Sequence, residues 1–212
     1  MNELGWAGWL AAFLLLAALI SNALFLHGVP HHLSRKAMHL LAAVPIGLSP
    51  LIFHSVFYPL ALTLTFLVLL AVSHQLELLP GVSQRGRWSE VGFPLAVLLC
   101  LTLWPISPWA AALPGLCVAL GDGAAGLVRA RVYKKPCKGL WGTAACLGIC
   151  LPFSVLVTPF WIGIAGVIGF TVVEYLSGDL APIKLDDNFS SPVAAAAIMG
   201  VSLGATAVLR GV

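Results

Sequence analysis

Eight long apolar segments, separated by short links, take up most of the chain. Their approximate bounds are 5–26, 37–53, 55–73, 91–107, 109–130, 142–158, 160–177 and 192–209. A helix that crosses a bilayer needs about 20 apolar residues, which most of these segments approach. Only 9% of the residues are charged, whereas a soluble domain carries about 25%. We therefore expect an all-α, polytopic integral membrane protein with seven or eight transmembrane helices and one domain over residues 1–212.

The positive charges predict which ends of these helices face the cytoplasm. Ten of the eleven Lys and Arg residues lie in or beside the links after the first, third, fifth and seventh segments. These ten are Arg35, Lys36, Arg85, Arg87, Arg129, Arg131, Lys134, Lys135, Lys138 and Lys184. Because cytoplasmic loops are enriched in Lys and Arg, we expect these links in the cytoplasm and both termini outside. A site built from them would work at the cytoplasmic surface of the membrane.

An aspartate between two glycines, Asp122, lies inside the fifth apolar segment. An acid in a membrane helix costs roughly 2.5–3.5 kcal/mol on insertion scales, so it usually faces a polar cavity and has a function. Gly121 and Gly123 would let a ligand or another backbone approach closely, and Arg129 follows two turns later on the same helix face. A carboxylate for Mg²⁺ beside cations for phosphate suits a metal–polyphosphate ligand. The alternatives are an aspartate that only stabilises helix packing and basic residues that only anchor a loop.

A lysine, two glycines and a hydroxyl group follow in the stretch KGLWGT, residues 138–143. Backbone N–H groups at the start of a helix can bind phosphate, which makes Lys138 a candidate phosphate ligand. The spacing does not match a Walker A loop, which reads GxxxxGK[ST] after a strand.

The second segment opens with another group of polar residues, in SRKAMHL, residues 34–40. Arg35 and His39 are four residues apart and share a helix face, Lys36 is adjacent, and Ser34 is a plausible N-cap. The two basic residues could instead be topological anchors, and His39 could be a hydrogen-bonded structural histidine.

The third group of polar residues follows the seventh segment, in VVEYLSGDLAPIKLDDNFSSP, residues 172–192. Glu174 lies near the cytoplasmic end of that segment, and the link after it contains Asp179, Lys184, Asp186, Asp187 and Asn188. These acids could complete a metal site opposite the basic link. The alternative is a solvated polar loop.

Three further ionisable residues have simpler interpretations. Glu90, at the start of the fourth segment, could complement the dipole of a helix N-terminus. His74 and Glu77, at the end of the third, could form a local polar pair.

These motifs, in this order, resemble the polyprenol kinase family of membrane enzymes, which includes phytol kinases, dolichol kinases and the yeast-type CTP-dependent diacylglycerol kinase. The matching stretches are RKAMH, EVGFP, GDGAAGLVRAR, KGLWGT and VEYLSGDLAPIKLDDNFSSP. They cover most of the chain between residues 35 and 192. The short chain looks more like the phytol and farnesol kinases than the longer dolichol kinases.

The resemblance implies transfer of the γ-phosphate of CTP, or of another nucleoside triphosphate, to an isoprenoid alcohol such as phytol, farnesol or geranylgeraniol. The reaction would use Mg²⁺ at the cytoplasmic face of a bacterial or archaeal cell membrane, without nucleic acid. The implied metal ligands are Asp122, Asp187 and Glu174; one of the acids would be the base, and His39 would orient the hydroxyl or a phosphate. The implied nucleotide- and phosphate-binding residues are Arg35, Lys36, Gly121, Gly123, Arg129, Arg131, Lys138 and Asn188.

Two other functions compete with the kinase. A CTP-dependent cytidylyltransferase also uses acids and basic loops of membrane helices, but it yields a CDP-lipid and pyrophosphate. A small transporter would have ionisable groups near the midplane of the membrane and often internal inverted repeats. Here the charges lie mainly toward one face and no repeat is evident, which makes a transporter the weakest of the three.

Overall fold

The computed structural model describes residues 2–83, 89–133, 138–177 and 186–209, and the regular structure in these ranges is entirely helical. The α-helices are α1 (Glu3–Leu26), α2 (His31–Ile52), α3 (Phe57–Leu76), α4 (Ser89–Cys100), α5 (Pro108–Leu116), α6 (Gly123–Tyr133), α7 (Leu140–Cys150), α8 (Phe160–Leu176) and α9 (Asp187–Leu209). A π-helical segment, Cys117–Asp122, joins α5 to α6, and 3-10 turns follow α4 and α7. Arg85, Arg87, Lys134, Lys135, Asp179 and Lys184 lie outside the described residues.

Each of the eight predicted apolar segments coincides with helical structure, so the all-α prediction is confirmed. Within the described ranges, the helices long and apolar enough to cross a bilayer are Glu3–Leu26, Phe57–Leu76, Pro108–Tyr133 and Asp187–Val208. Shorter apolar helices accompany them at Glu90–Leu103, Leu140–Leu156 and Phe160–Leu176. Several long apolar helices indicate a membrane-embedded protein, while the number of crossings and the side of each terminus stay predictions.

The helix Pro108–Tyr133 is the centre of the bundle. In its most apolar stretch 72% of the residues are buried, against 22–28% in the other three long helices. Its first half, α5, packs against α2, α4, α8 and α9, and the π-helical segment packs against α7. Consecutive alanines at 110–112 are buried there, and such small side chains let neighbouring helices approach closely. The acid of this helix, Asp122, is therefore surrounded by protein.

Helix α2 begins at His31, six residues before the predicted start at 37, and this corrects the interpretation of Ser34 as an N-cap. Pro30 precedes the helix, whereas Ser34 is buried within its first turns. The Ser34 hydroxyl lies 2.8 Å from the carbonyl oxygen of Gly81, in the link after α3. Polar residues can lie in a helix when their side chains find partners elsewhere, so the apolar pattern alone placed the start too late.

Helix α9 begins at Asp187 rather than at 192, which corrects the expectation that Asp187 and Asn188 lie in a loop. Asp186 precedes the helix; its Oδ1 accepts the backbone N–H of Asn188 at 2.9 Å, and its backbone oxygen accepts that of Ser190 at 2.9 Å. An aspartate before the first turn satisfies otherwise unpaired N–H groups, and the charge of Asp187 complements the helix dipole. Asp187 therefore has a defined position on a helix.

Candidate active site

Asp122 is the last residue of the π-helical segment in the central helix. Such segments are rare and frequently occur at functional sites. Lys36, from α2, donates a hydrogen bond to Asp122 Oδ2, and its Nζ also lies 3.2 Å from the backbone oxygen of the same residue. The cation beside Asp122 is thus Lys36, on a different helix, and not Arg129 two turns along its own.

Arg129 instead forms a bidentate salt bridge with Glu174 of α8. Its two terminal nitrogens lie 2.9 and 2.8 Å from the two carboxylate oxygens. Glu174 is 1% exposed and Arg129 is 8% exposed. A buried pair of this kind is stable only when its geometry is good and its hydrogen bonds are made. Gly142 of α7 provides the space, because a Cβ at that position would overlap the Arg129 side chain.

Lys138 connects the end of α8 to the start of α9. Its Nζ lies 2.7 Å from Glu174 Oε1, 2.7 Å from the Glu174 backbone oxygen and 2.7 Å from Asp187 Oδ2. Burial lowers the pKa of Lys138, but the negative charges of Asp187 and Glu174 outweigh it and leave the pKa above its usual value. Lys138 therefore stays charged, as a phosphate ligand must.

The pKa of Asp186, just before α9, depends on its burial and on nearby charges, including a cation at the start of α2. Burial raises the pKa of Asp186 to about 6, against the hydrogen bond from the Asn188 N–H. The charge of Asp187 adds to this rise and the cation of Arg35 opposes it. Arg35 therefore lies within electrostatic reach of the α9 start.

Together these contacts form what we call the polar cluster, at one end of the bundle. Its acids come from the central helix, α8 and α9, and its cations come from α2, α6 and the residues before α7. Its members are Lys36, Asp122, Arg129, Lys138, Glu174 and Asp187. These residues lie up to 151 positions apart in the sequence (187 − 36), yet all six were candidates from the sequence.

Three predicted ligands have surroundings that differ from those of the polar cluster. Arg131 is exposed on α6, about 200° around the helix from Arg129. A Cβ at Gly121 would overlap the sulfur atoms of α7, and one at Gly123 would press on Leu40. The two glycines are thus explained by helix packing, and phosphate contact by these three residues stays a prediction.

His39 and Asn188 have hydrogen-bonding capacity that the described residues do not use. His39 Nδ1 is buried without a hydrogen-bond partner, and the 3.8 Å to Asp122 Oδ2 is too long for one. The imidazole ring stacks on Phe93 of α4, with 5.4 Å between ring centroids. Asn188 Oδ1 is also buried without a partner. Buried polar atoms are nearly always paired, so both mark places where a ligand can add bonds.

The fit of the polar cluster to Mg²⁺ differs among the three acids. Asp122 and Asp187 each use one carboxylate oxygen for a lysine, and the other oxygen makes no hydrogen bond to a described residue. Both oxygens of Glu174 are already bonded by Arg129, and one is also bonded by Lys138. No group of three His, Cys, Asp or Glu side chains suited to a metal occurs among the described residues. Mg²⁺ commonly binds one or two carboxylates together with substrate phosphates, which Asp122 and Asp187 fit and Glu174 does not.

A histidine–carboxylate contact near the polar cluster is not evident from the sequence. His74 Nδ1 of α3 lies 2.5 Å from Glu90 Oε1 of α4, and Glu90 is only 4% exposed. The sequence favours a helix-dipole role for Glu90 and a local pair with Glu77 for His74. Ionisable residues at the edge of apolar segments are a signal of function in membrane proteins, and that signal applied to both.

Glu90 lines a cavity beside the polar cluster. We call it the polar-ended cavity; it has about 330 Å³ of empty space including its mouth, and Arg35, His39 and Glu90 form its polar wall. A second space, which we call the apolar cavity, has about 670 Å³ on the same measure and extends between α2, α3, α4 and α5. Ala42, Phe66 and Phe93 line both cavities. The two spaces are therefore adjacent.

Comparison with protein-family models, with curated proteins and with solved structures finds no match to this chain.

Proposed function

We propose that the protein is a membrane-embedded lipid kinase. It transfers the γ-phosphate of a nucleoside triphosphate, with CTP as the expected donor, to the hydroxyl of an isoprenoid alcohol such as phytol, farnesol or geranylgeraniol. The reaction takes place with Mg²⁺ at the cytoplasmic face. The motif resemblance to polyprenol kinases suggests the reaction, and the polar cluster is the observation that carries it.

The composition of the polar cluster supports phosphoryl transfer. This reaction needs little covalent chemistry from a protein, and depends on positioning and on neutralising the charge of the phosphates. Lys36, Arg129 and Lys138 supply three cations within one small region, and Asp122 and Asp187 supply two carboxylates with free oxygens. Cations and carboxylates in this arrangement can bind both a polyphosphate and its divalent metal.

Each residue has a separate task in this proposal. Asp122 and Asp187 would hold Mg²⁺, which neutralises phosphate charge when it is bound. Lys36 and Lys138 bind phosphate oxygens, for which each must leave its carboxylate partner in part. Glu174 positions Arg129 and Lys138 rather than binding metal, because both of its oxygens face these two cations.

Membrane burial explains how the two substrates meet. The polar cluster lies where the central helix, α8 and α9 come together at one end of the bundle, next to the polar-ended cavity, and the apolar cavity adjoins that cavity. A lipid alcohol can keep its tail in the apolar part while its hydroxyl reaches the charged part. The nucleotide approaches from the water on the side where basic links are expected.

Product analysis with purified protein tests the proposal. The protein in detergent is incubated with Mg²⁺, each γ-labelled nucleoside triphosphate, and phytol, farnesol, geranylgeraniol, dolichol or diacylglycerol. We expect a labelled lipid monophosphate and an unlabelled nucleoside diphosphate, with the highest rate for CTP and an isoprenoid alcohol. Release of pyrophosphate with a CDP-lipid would instead identify a cytidylyltransferase. No lipid product from any pair would reject both enzymes.

Asp122→Asn tests the assignment of the metal ligand. Loss of a charge that stabilises a phosphoryl-transfer step should lower the rate by about a hundredfold or more. Glu3→Gln is the matched control, because Glu3 bonds His54 in the link between α2 and α3, away from the polar cluster. We expect the control to keep its rate within about twofold. Full activity of Asp122→Asn would reject the role of Asp122.

A further inference from the structure

Two buried polar atoms without partners belong to side chains of the polar-ended cavity. Glu90 Oε2 and His39 Nδ1 are both buried and make no hydrogen bond to a described residue. Glu90 is 4% and His39 is 7% exposed, and both side chains line the cavity. Leaving a buried polar atom without a hydrogen bond is unfavourable, and a bound ligand that pairs with the atom removes this cost.

The chemistry of these two atoms selects a hydroxyl group as the ligand. A carboxylate oxygen only accepts hydrogen bonds, and an imidazole nitrogen either donates or accepts one according to its tautomer. An alcohol has one O–H donor and two acceptor lone pairs. It can donate to Glu90 Oε2 and accept from an N–H at His39 Nδ1, which satisfies both atoms at once. His74 holds the other oxygen of Glu90 at 2.5 Å and orients the carboxylate.

The apolar cavity continues from this point along α2. Ala42, Phe66 and Phe93 lie at the junction, and the space then extends past Ile46 and Val97 toward Trp104. From His39 to Ser49 the distance along α2 is about 15 Å, at 1.5 Å per residue. The hydroxyls of Ser49 and Thr63, in its wall, already bond backbone oxygens at 2.7 Å. The wall therefore offers mainly apolar contacts to an occupant.

We propose that the two cavities together bind the lipid alcohol substrate. The hydroxyl lies between Glu90 and His39, and one linear hydrocarbon tail occupies the apolar cavity between α2, α3, α4 and α5. This inference rests on the proposed kinase function for the identity of the substrate. His39 also lies beside Asp122, so the bound hydroxyl is near the carboxylate assigned to the metal and the phosphates. Because the cavities join end to end, one tail fits better than the two parallel tails of diacylglycerol.

Photo-crosslinking on the unaltered protein tests the location. A geranylgeraniol analogue with a diazirine in its tail is bound without nucleotide, irradiated, and its attachment is mapped by peptide mass spectrometry. We expect crosslinks in the helices that line the two cavities, mainly α2, α3, α4 and α5, and at least a tenfold reduction by excess geranylgeraniol. Crosslinks confined to α6, α7, α8 or α9 would overturn the proposal.

The contribution of the hydroxyl is measured by comparing geranylgeraniol with its methyl ether, which cannot donate a hydrogen bond. A hydrogen bond to a charged group is worth about a tenfold change in affinity or more, so we expect the ether to bind at least tenfold more weakly. Glu90→Gln should reduce this preference for the alcohol. Equal binding of both compounds would show a site for any lipid tail, including those of bilayer lipids, and would overturn the proposal.

Ala42→Phe blocks the junction of the cavities, and Val44→Phe on the exposed face of the same helix is its control. We expect the first variant to raise the KM for the alcohol about tenfold or more, because the added ring fills space that the ligand needs, and the second to leave it unchanged. If the wild-type protein binds the alcohol at this site but transfers no phosphate from any nucleotide, the kinase function fails and the binding site stands. If transfer occurs with an unchanged KM in a correctly folded Ala42→Phe variant, the binding site fails and the kinase function stands.

Discussion

At the scale of single residues, every acid of the polar cluster is paired with a cation from another part of the chain. Glu174 of α8 pairs with Arg129 of α6, and Asp122 of the central helix pairs with Lys36 of α2. A buried charge without a partner is strongly unfavourable, so these pairs stabilise the arrangement of the helices as well as the site. Loss of one partner should therefore destabilise the protein more than loss of both.

Arg129→Met tests this expectation for the most buried pair. It leaves the carboxylate of Glu174 with Lys138 alone, and we expect a loss of about 3 kcal/mol in the free energy of unfolding. The double variant Arg129→Met/Glu174→Gln removes both charges and should recover most of that loss. Thermal unfolding in detergent measures both, and the exposed Arg131→Met is the control, with a change of about 0.5 kcal/mol or less. A double variant less stable than the single one would contradict the argument.

The sequence identified the cluster residues by type and order but not by contact. Asp122 and Arg129 are close in sequence and on one helix face, which favoured them as partners. The helix packing instead brings Lys36 and Glu174 to them. Such choices depend on how helices pack in three dimensions, and sequence spacing carries that information only within one helix.

At the scale of helices, the apolar pattern predicted each segment, but it missed the polar first turns of α2 and α9. Both starts contain residues that the pattern excludes, namely His31 to Lys36 and Asp187 to Ser191. In the first turn of α9, the Asn188 N–H donates to Asp186 Oδ1. In the first turns of α2, the Ser34 hydroxyl donates to the Gly81 carbonyl oxygen. This difference matters for function, because it places Asp187 on a helix rather than in a loop.

Two glycines of α7 provide a test of helix packing near the site. Gly142→Ala places a methyl group where the Arg129 side chain lies, whereas a Cβ at Gly148 meets nothing within 4 Å. We expect Gly142→Ala to displace Arg129 from Glu174 and to lower the free energy of unfolding by roughly 1–3 kcal/mol. The rate of phosphoryl transfer should fall as well. Gly148→Ala should be neutral or slightly stabilising, because alanine favours a helix more than glycine does.

Thermal unfolding and the transfer assay on the two variants measure these effects. A Gly142→Ala variant that is as stable and as active as the wild-type protein would show that the space beside Arg129 is not required. A parallel loss of stability in both would indicate a general sensitivity of α7, unrelated to the ion pair.

At the scale of the whole molecule, the polar cluster and the apolar cavity lie at successive positions along the axis of one helix bundle. The polar cluster lies at the end where α2 and α9 begin. The polar-ended cavity lies beside it, and the apolar cavity follows between α2, α3, α4 and α5. Glu3 and His54 pair at the other end of α2. The molecule is therefore asymmetric along the helices, and the proposed reaction requires the charged end to face the compartment that contains nucleoside triphosphates.

Cysteine labelling tests this orientation. His27 and His54 are both exposed, His27 after α1 at the charged end and His54 between α2 and α3 at the other. The charge distribution predicts that the link after the first apolar segment, which contains His27, is cytoplasmic, and that the link after the second, which contains His54, is outside. A membrane-impermeant maleimide should therefore label His54→Cys in intact cells and His27→Cys only after permeabilisation. The parent protein with Cys137→Ser supplies the background, since its four other cysteines are buried. The reverse pattern would place the polar cluster outside the cell, away from nucleoside triphosphates, and the proposed kinase function would fail with it.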